Sequence, residues 1–180
     1  MQALLLAGGL GTRLQPLTNY IPKCLAPIRG YPLLGIWLEQ LVNAGCEKIY
    51  INLHYMPGLV RQFVEESGYK QWVEFFDEPK LLGTAGTLIK NRQHFSPGPL
   101  LLIHADNLSV FSISSLWEYH KNANASIDIT MMTFCTDDPS SCGIVELTDN
   151  GQVSGFYEKV KFPPGNTANA AALTPASFNK

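Results

Sequence analysis

Apolar residues along this chain follow two alternating patterns. Short apolar runs recur at Ala3 to Leu6, Lys48 to Leu53 (KIYINL), Val73 to Phe76 and Pro99 to His104 (PLLLIH), and these read as strands. Amphipathic stretches lie between them. Within Leu33 to Ala44, the residues Leu34, Trp37, Leu38, Leu41 and Val42 recur at helical spacing, and Gly45 stands where a C-cap would. Gly58 to Ser67 sets Leu59, Phe63 and Val64 on one side and stops at Gly68. Thr84 to Lys90 predicts a helix behind Gly83 with Thr84 as its N-cap, and Ser112 to Lys121 predicts another. Ile127 to Phe134, Gly143 to Leu147 and Val153 to Glu158 read as later strands. The last two are joined through Asp149-Asn150-Gly151, a hairpin signal. Strand–helix units come first and the hairpin comes late, so the pattern predicts an α/β fold around a mixed, mostly parallel sheet.

Composition bounds this picture without redirecting it. The 180 residues suffice for one domain with a real core, and 46% of them are apolar against 16% charged. A formal net charge of -2 excludes a partner recognised by neutralising many phosphates, so no nucleic acid polymer is expected. Cys24, Cys46, Cys135 and Cys142 show no metal-knuckle spacing and read as reduced thiols, which suits a cytoplasmic protein. No apolar stretch approaches the roughly 20 residues a membrane span needs, so no membrane partner is expected. From Phe162 the composition turns to Pro, Gly, Asn, Ala and Thr, with no helix or strand signal. The expected division is therefore one folded domain over 1–161 and a tail over 162–180.

The first strand runs into Leu6-Ala7-Gly8-Gly9-Leu10-Gly11-Thr12-Arg13-Leu14. A triphosphate needs backbone N–H groups packed closely around its oxygens, and glycine permits both the close approach and unusual φ angles. Thr12 adds a hydroxyl, and Arg13 adds a fixed cation that can fork onto two phosphate oxygens. Leu14 stands where a dinucleotide fingerprint needs its third glycine, and the run lacks the Gly-Lys-Ser/Thr end of a Walker A loop. A glycine-rich β-turn is the plain alternative. Thr12-Arg13 and the downstream Pro22-Lys23 favour a phosphate grip.

LAGGLGTRLQPLTNYIPKCLAPI, Leu6 to Ile28, resembles the signature of sugar-phosphate nucleotidyltransferases, LAGG-x-GTRL-x-PLT followed by PK-x-L-x-P. The resemblance implies a Rossmann-like three-layer α/β/α fold. It also implies that Leu6, Ala7, Gly8, Gly9, Gly11, Thr12, Arg13 and Lys23 hold the triphosphate. Glu78 to Thr87 (EPKLLGTAGT) resembles the family's base-recognition segment and, in its GTAG form, the mannose-1-phosphate guanylyltransferases. Gly83 and Thr84 would then approach the nucleoside. The Watson–Crick edge of guanine offers two N–H donors side by side, which the Glu78 carboxylate could accept. A solvated acid before a helix explains Glu78 equally well.

Asp106 follows the run that ends at His104, at the strand end where open α/β sheets bind ligands. By resemblance it carries Mg²⁺, a cation suited to one or two carboxylates plus phosphate oxygens. Ala105 replaces the family's usual glycine, and His104 reads as a packed strand-end residue. Gly143, Glu158 and Lys159 resemble the sugar side of the site, where glycine admits the ring, Glu contacts hydroxyls and Lys holds the sugar phosphate. Asn169 would be a further sugar contact, although Ala171-Ala172-Leu173 departs from the expected glycine and aromatic pattern.

The resemblance implies transfer of a nucleotidyl group, GTP favoured, to a mannose 1-phosphate-like sugar 1-phosphate, with Arg13, Lys23 and Asp106 as catalytic residues. Family members continue further, with a second metal-binding Asp, more of the sugar site and often a surface for homo-oligomers. Lys161 to Lys180 contains no acid, so the tail reads as the start of a missing sugar-site segment in a chain shortened at its C-terminus. The alternatives are a non-catalytic nucleotide-binding or regulatory protein of the same fold, and a uridylyl- or thymidylyltransferase.

Overall fold

A computed structural model of the chain describes residues 1–135, 142–158 and 170–179. The chain divides into two compact units, Met1–Ile129 with the last three residues, and Thr130–Ser177. In chain order the elements are β1 (Gln2–Leu6), β2 (Pro27–Ile28), β3 (Tyr31–Pro32), α1 (Leu33–Asn43), β4 (Lys48–Leu53), α2 (Pro57–Glu66) and β5 (Val73–Asp77). There follow α3 (Gly83–Asn91), β6 (Leu100–His104), α4 (Ile113–Asn122), β7 (Ile129–Phe134), β8 (Gly143–Leu147), β9 (Val153–Glu158) and β10 (Ala170–Asn179).

The first unit is built on four parallel strands in the order β5-β4-β1-β6, flanked by helices. Parallel strands must be joined by crossovers, and α1 and α2 supply two of them. Both faces of such a sheet are covered, which is why its strands are largely apolar. On one face Leu4, Tyr50, Phe76, Leu100 and Leu102 form a buried cluster, with Leu88 of α3 and Phe95 packed against it. Tyr50 stacks on Phe76 at 5.0 Å between ring centroids, and its hydroxyl donates to the His94 carbonyl. On the other face Ala3, Leu5, Ile49, Ile51, Leu101 and Ile103 are fully buried, as are Leu34, Trp37, Leu38 and Leu41 of α1.

The second unit is antiparallel in its β8–β9 and β8–β10 ladders. The β8–β9 turn closes through the Gly151 N–H donating to the Thr148 carbonyl, with Gly151 at φ 74°, the left-handed geometry that its hairpin signal predicts. Two expectations need correction. Thr84 is not the N-cap of α3: the helix starts at Gly83, Leu82 is its cap residue, and no side chain caps it. The tail is not without structure either, because Ala170–Asn179 is a strand whose Ala170 to Ala172 pair with β8. Alanine has weak strand propensity, so this element shows in its pairing and not in its composition.

Two features of the core give measurable outcomes. Trp37 is fully buried and its Nε1–H donates to the Asn107 carbonyl at 2.8 Å, tying α1 to the turn after β6. Trp37→Phe strands that carbonyl and leaves a small void, and should cost about 1–3 kcal/mol in urea unfolding. Burial pushes the Cys24 thiol from 9.0 to about 12 and the Cys46 thiol to about 11. Both stay protonated in the folded protein while unfolded thiols ionise near 9.0, so their contribution to stability is full below pH 9 and is lost as pH rises beyond it. Iodoacetamide at pH 8 should spare Cys24 and Cys46 until urea unfolds the chain, and should modify the exposed Cys135 first.

Candidate functional site

The site follows from the register of the sheet. Phe76, Asn52, Leu6 and His104 occupy one row across β5, β4, β1 and β6, the last or next-to-last row before each strand ends. Beyond this row the chain must leave the ladder, and its backbone groups need new partners. The Asn52 side-chain oxygen takes two of them, accepting from the Ala7 N–H at 2.7 Å and the Gly8 N–H at 3.3 Å. Ala105 keeps one strand-like bond, from its N–H to the Leu6 carbonyl.

The glycine loop then arches outward from a buried Gly8 to an exposed Gly9. Gly8 lies so close to Asn52, Leu81 and His54 that an added Cβ would meet all three at 3.2–3.3 Å. Gly11 has φ 66°, and a Cβ there would come within 2.8 Å of Thr18. Both positions therefore need glycine for reasons of space or conformation. The Thr18 hydroxyl donates to the Gly11 carbonyl, and the Tyr55 hydroxyl donates to the Thr18 carbonyl, which anchors the far side of the loop. Thr12 and Arg13 project from a short 3-10 turn and are exposed.

A cleft opens between this loop, the end of β6 and the start of α3. It is lined by Leu6, Ala7, Gly8, Gly9, Lys23 and Asp106, together with Gly83, Thr84 and Asn52. Lys23 begins another 3-10 turn behind the buried Pro22, and its Nζ meets Asp106 Oδ2 at 2.8 Å. Each side chain keeps roughly a quarter to a third of its surface exposed (23% and 32%), so the pair faces the cleft rather than the core. His104 and Cys24 complete the wall. Burial lowers the His104 pKa, the Asp106 carboxylate opposes that shift and Lys23 reinforces it, so His104 is neutral at pH 7.

The structure thus brings together most of the residues chosen from the sequence, and sets others apart. Glu78 is buried at 3% exposure and does not line the cleft. Its Oε1 accepts from Asn52 Nδ2 and the Thr87 hydroxyl, and its Oε2 accepts from the Leu82 N–H. A carboxylate engaged in this way does not present its edge to a base, contrary to the expectation for guanine. Gly143 and Glu158 sit opposite one another across the β8–β9 ladder in the second unit. Lys159 and Asn169 lie outside the described residues. Asn52, by contrast, is hidden in the sequence, in the face of KIYINL that it shares with Lys48 and Tyr50. Its only signal is an amide between the apolar residues Ile51 and Leu53.

Asp106 also allows a test of fit for Mg²⁺. Among the described residues no group of three or more His, Cys, Asp or Glu could hold a metal. A lone carboxylate in a cleft beside amide donors still suits Mg²⁺, which takes most of its ligands from phosphate oxygens and water. The donor set fits a metal that arrives with a nucleotide rather than one caged by protein. Among the described residues no helix is long and apolar enough to cross a membrane.

Comparison with known proteins agrees with this geometry. The family model described as "Nucleotidyl transferase" matches residues 2–174. Mannose-1-phosphate guanylyltransferase 1 of Arabidopsis thaliana is 32% identical over 190 residues, covering 100% of this chain and 52% of its own length. The mannose-1-phosphate guanylyltransferase of Mycobacterium tuberculosis is 30% identical, covering 94% and 47% respectively. The chain thus spans about half the length of the curated relatives it matches. Among solved structures, a Bacillus anthracis protein provisionally assigned as a glucose-1-phosphate thymidylyltransferase superposes with a TM-score of 0.86 at 23% identity, over 100% of this chain and 71% of that one. HddC from Yersinia pseudotuberculosis, complexed with GMP-PN, gives 0.76 at 21% identity over 99% and 76%. At these identities the structures speak for the Rossmann-like fold. The family model and the curated relatives, matching from the glycine loop through the later strands, establish that the chain belongs to the nucleotidyl transferase family.

Proposed function

We propose that this chain binds a nucleoside triphosphate in the cleft above the glycine loop and transfers its nucleotidyl group to a sugar 1-phosphate. The observation that carries this reading is the Lys23–Asp106 pair facing a cleft floored by Gly8 and Gly9. A cation, a carboxylate and a glycine-rich backbone within one cleft suit a polyphosphate that arrives with its own Mg²⁺.

In the reaction, a sugar-phosphate oxygen attacks the α-phosphorus, and the bond from that phosphorus to the bridging oxygen breaks as pyrophosphate leaves. The attacking oxygen is already ionised at neutral pH, so no general base is needed and catalysis is positioning plus charge neutralisation. Backbone N–H groups of the loop and Arg13 would hold the triphosphate, Lys23 would offset developing charge, and Gly83 and Thr84 would flank the nucleoside. Asp106 would hold Mg²⁺, which supplies charge neutralisation at the phosphates when bound. On the sugar side, Gly143, Glu158, Lys159 and Asn169 are assigned by resemblance alone.

GTP and a mannose 1-phosphate-like acceptor are the favoured substrates. The support is the guanylyltransferase names of the relatives and the GTAG segment at Gly83 to Gly86, not the Glu78 carboxylate.

Two outcomes test the reading. In thermal melts with GTP, UTP, dTTP, CTP and ATP, GTP should stabilise the protein most. Arg13→Ala should weaken that binding roughly ten- to hundredfold, the worth of one or two charge-assisted hydrogen bonds. A larger shift with UTP or dTTP would move the assignment to the uridylyl or thymidylyl branch. With Mg²⁺, GTP and mannose 1-phosphate, pyrophosphate should be released, and Asp106→Asn should slow release by about a hundredfold or more. Binding without turnover for any pair would identify a non-catalytic nucleotide-binding protein.

A further inference from the structure

The buried cluster beneath the glycine loop has a direction built into it. Asn52 Nδ2 donates to Glu78 Oε1 at 3.2 Å and to the Thr87 hydroxyl at 3.4 Å, while Asn52 Oδ1 accepts from Ala7 and Gly8. The Thr87 hydroxyl donates onward to Glu78 Oε1, and the Leu82 N–H donates to Oε2. Glu78, Asn52 and Thr87 are all at most 3% exposed, so water cannot replace a lost partner.

Both oxygens of the Glu78 carboxylate act as acceptors here, toward Asn52, Thr87 and Leu82. Glu78 therefore forces the amide nitrogen of Asn52 to its own side, and this leaves the amide oxygen facing the loop. The loop end imposes the same choice, because Ala7 and Gly8 offer only N–H groups there. The carboxylate also joins the loop to the start of α3, through Leu82 just before the helix and Thr87 within it. We infer that Glu78 is a positioning residue which, acting through Asn52, holds the first amides of the glycine loop and so sets how tightly the loop grips a triphosphate. The last step rests on the triphosphate reading above; the loop-holding step does not.

The polarity makes the inference testable by exchanging donors and acceptors. In Glu78→Gln the new amide cannot satisfy both sides. Either its nitrogen meets the Leu82 N–H, or Asn52 must flip and turn its own nitrogen onto Ala7 and Gly8. Adding Asn52→Asp repairs this and restores the net charge. In that double variant the carboxylate introduced at position 52 can accept from the loop on one oxygen and from the amide introduced at position 78 on the other. The oxygen of that new amide then accepts from the Leu82 N–H, and the Thr87 hydroxyl pairs with both side chains.

The experiment measures amide hydrogen exchange at Ala7 and Gly8 in the nucleotide-free protein, and the Kd for GTP and for UTP by calorimetry. E78Q should speed exchange at Ala7 by about tenfold or more while the α1 amides are unchanged, the loss expected for one buried hydrogen bond. It should weaken GTP and UTP by the same factor, and the E78Q/N52D double variant should return exchange and affinity to within about threefold of wild type. Wild-type exchange in E78Q, or a double variant no better than E78Q, overturns the inference. Loss of GTP binding alone, with UTP unchanged, overturns it in favour of base reading by Glu78. If E78Q is too unstable to purify, recovery of folded protein in the double variant supports the inference and failure to recover overturns it. Absence of any triphosphate binding by the wild type sinks the functional reading and the grip that rests on it, and exchange alone then decides the loop-holding role.

Discussion

Where a buried parallel strand ends, the next backbone N–H groups lose their ladder partners and cannot turn to water. In this protein that constraint falls on Ala7 and Gly8, and one side-chain oxygen of Asn52 meets it. The rest of the site depends on that bond. It fixes where the glycine loop leaves the sheet, at a Gly8 packed so closely against Asn52, Leu81 and His54 that a side chain there would crowd all three. The next residue, Gly9, lines the cleft. A loop chosen for glycine would otherwise be the least ordered part of the molecule, because glycine loses the most freedom on folding.

The charged part of the site follows the opposite logic. Lys23 and Asp106 are neither buried nor fully solvated, and each is the other's partner at 2.8 Å. A pair in this position contributes little to stability by itself. It can exchange partners at small cost when a more highly charged ligand enters. The neutral His104 beside them adds no competing charge. Two kinds of polar group therefore stand side by side. The Asn52–Glu78–Thr87 cluster is closed and holds the backbone in place, while the Lys23–Asp106 pair is open and can respond to a ligand.

Much of this was legible in the residues. The order of strands and helices follows from apolar runs and helical spacing, because a sheet buried on both faces leaves a strong and simple pattern. The glycine loop, Arg13 and Lys23 are readable because they stand in one contiguous motif, and Asp106 because it follows an apolar strand. Glu78 was legible as chemistry but not as placement. An acid before a helix looks the same in sequence whether its carboxylate faces a base or, as here, a buried amide and hydroxyl. Thr84 was misread as a cap because Ser, Thr and Asp preferences are statistical, whereas α3 begins one residue earlier with no side-chain cap at all.

The sequence by itself determined the α/β class, the family and the glycine loop that follows β1, since each rests on local periodicity or on a contiguous motif. The tertiary structure alone decided the role of Asn52 and of Glu78, and it alone revealed the strand at Ala170–Asn179. Those three depend on contacts between residues far apart in the chain. Asn52 lies 45 positions from Ala7 and 26 from Glu78, and Ala170 to Ala172 of β10 pair with Glu146 to Ile144 of β8. A polar residue in an apolar strand gives notice that it must have a partner. Only the folded register says which one.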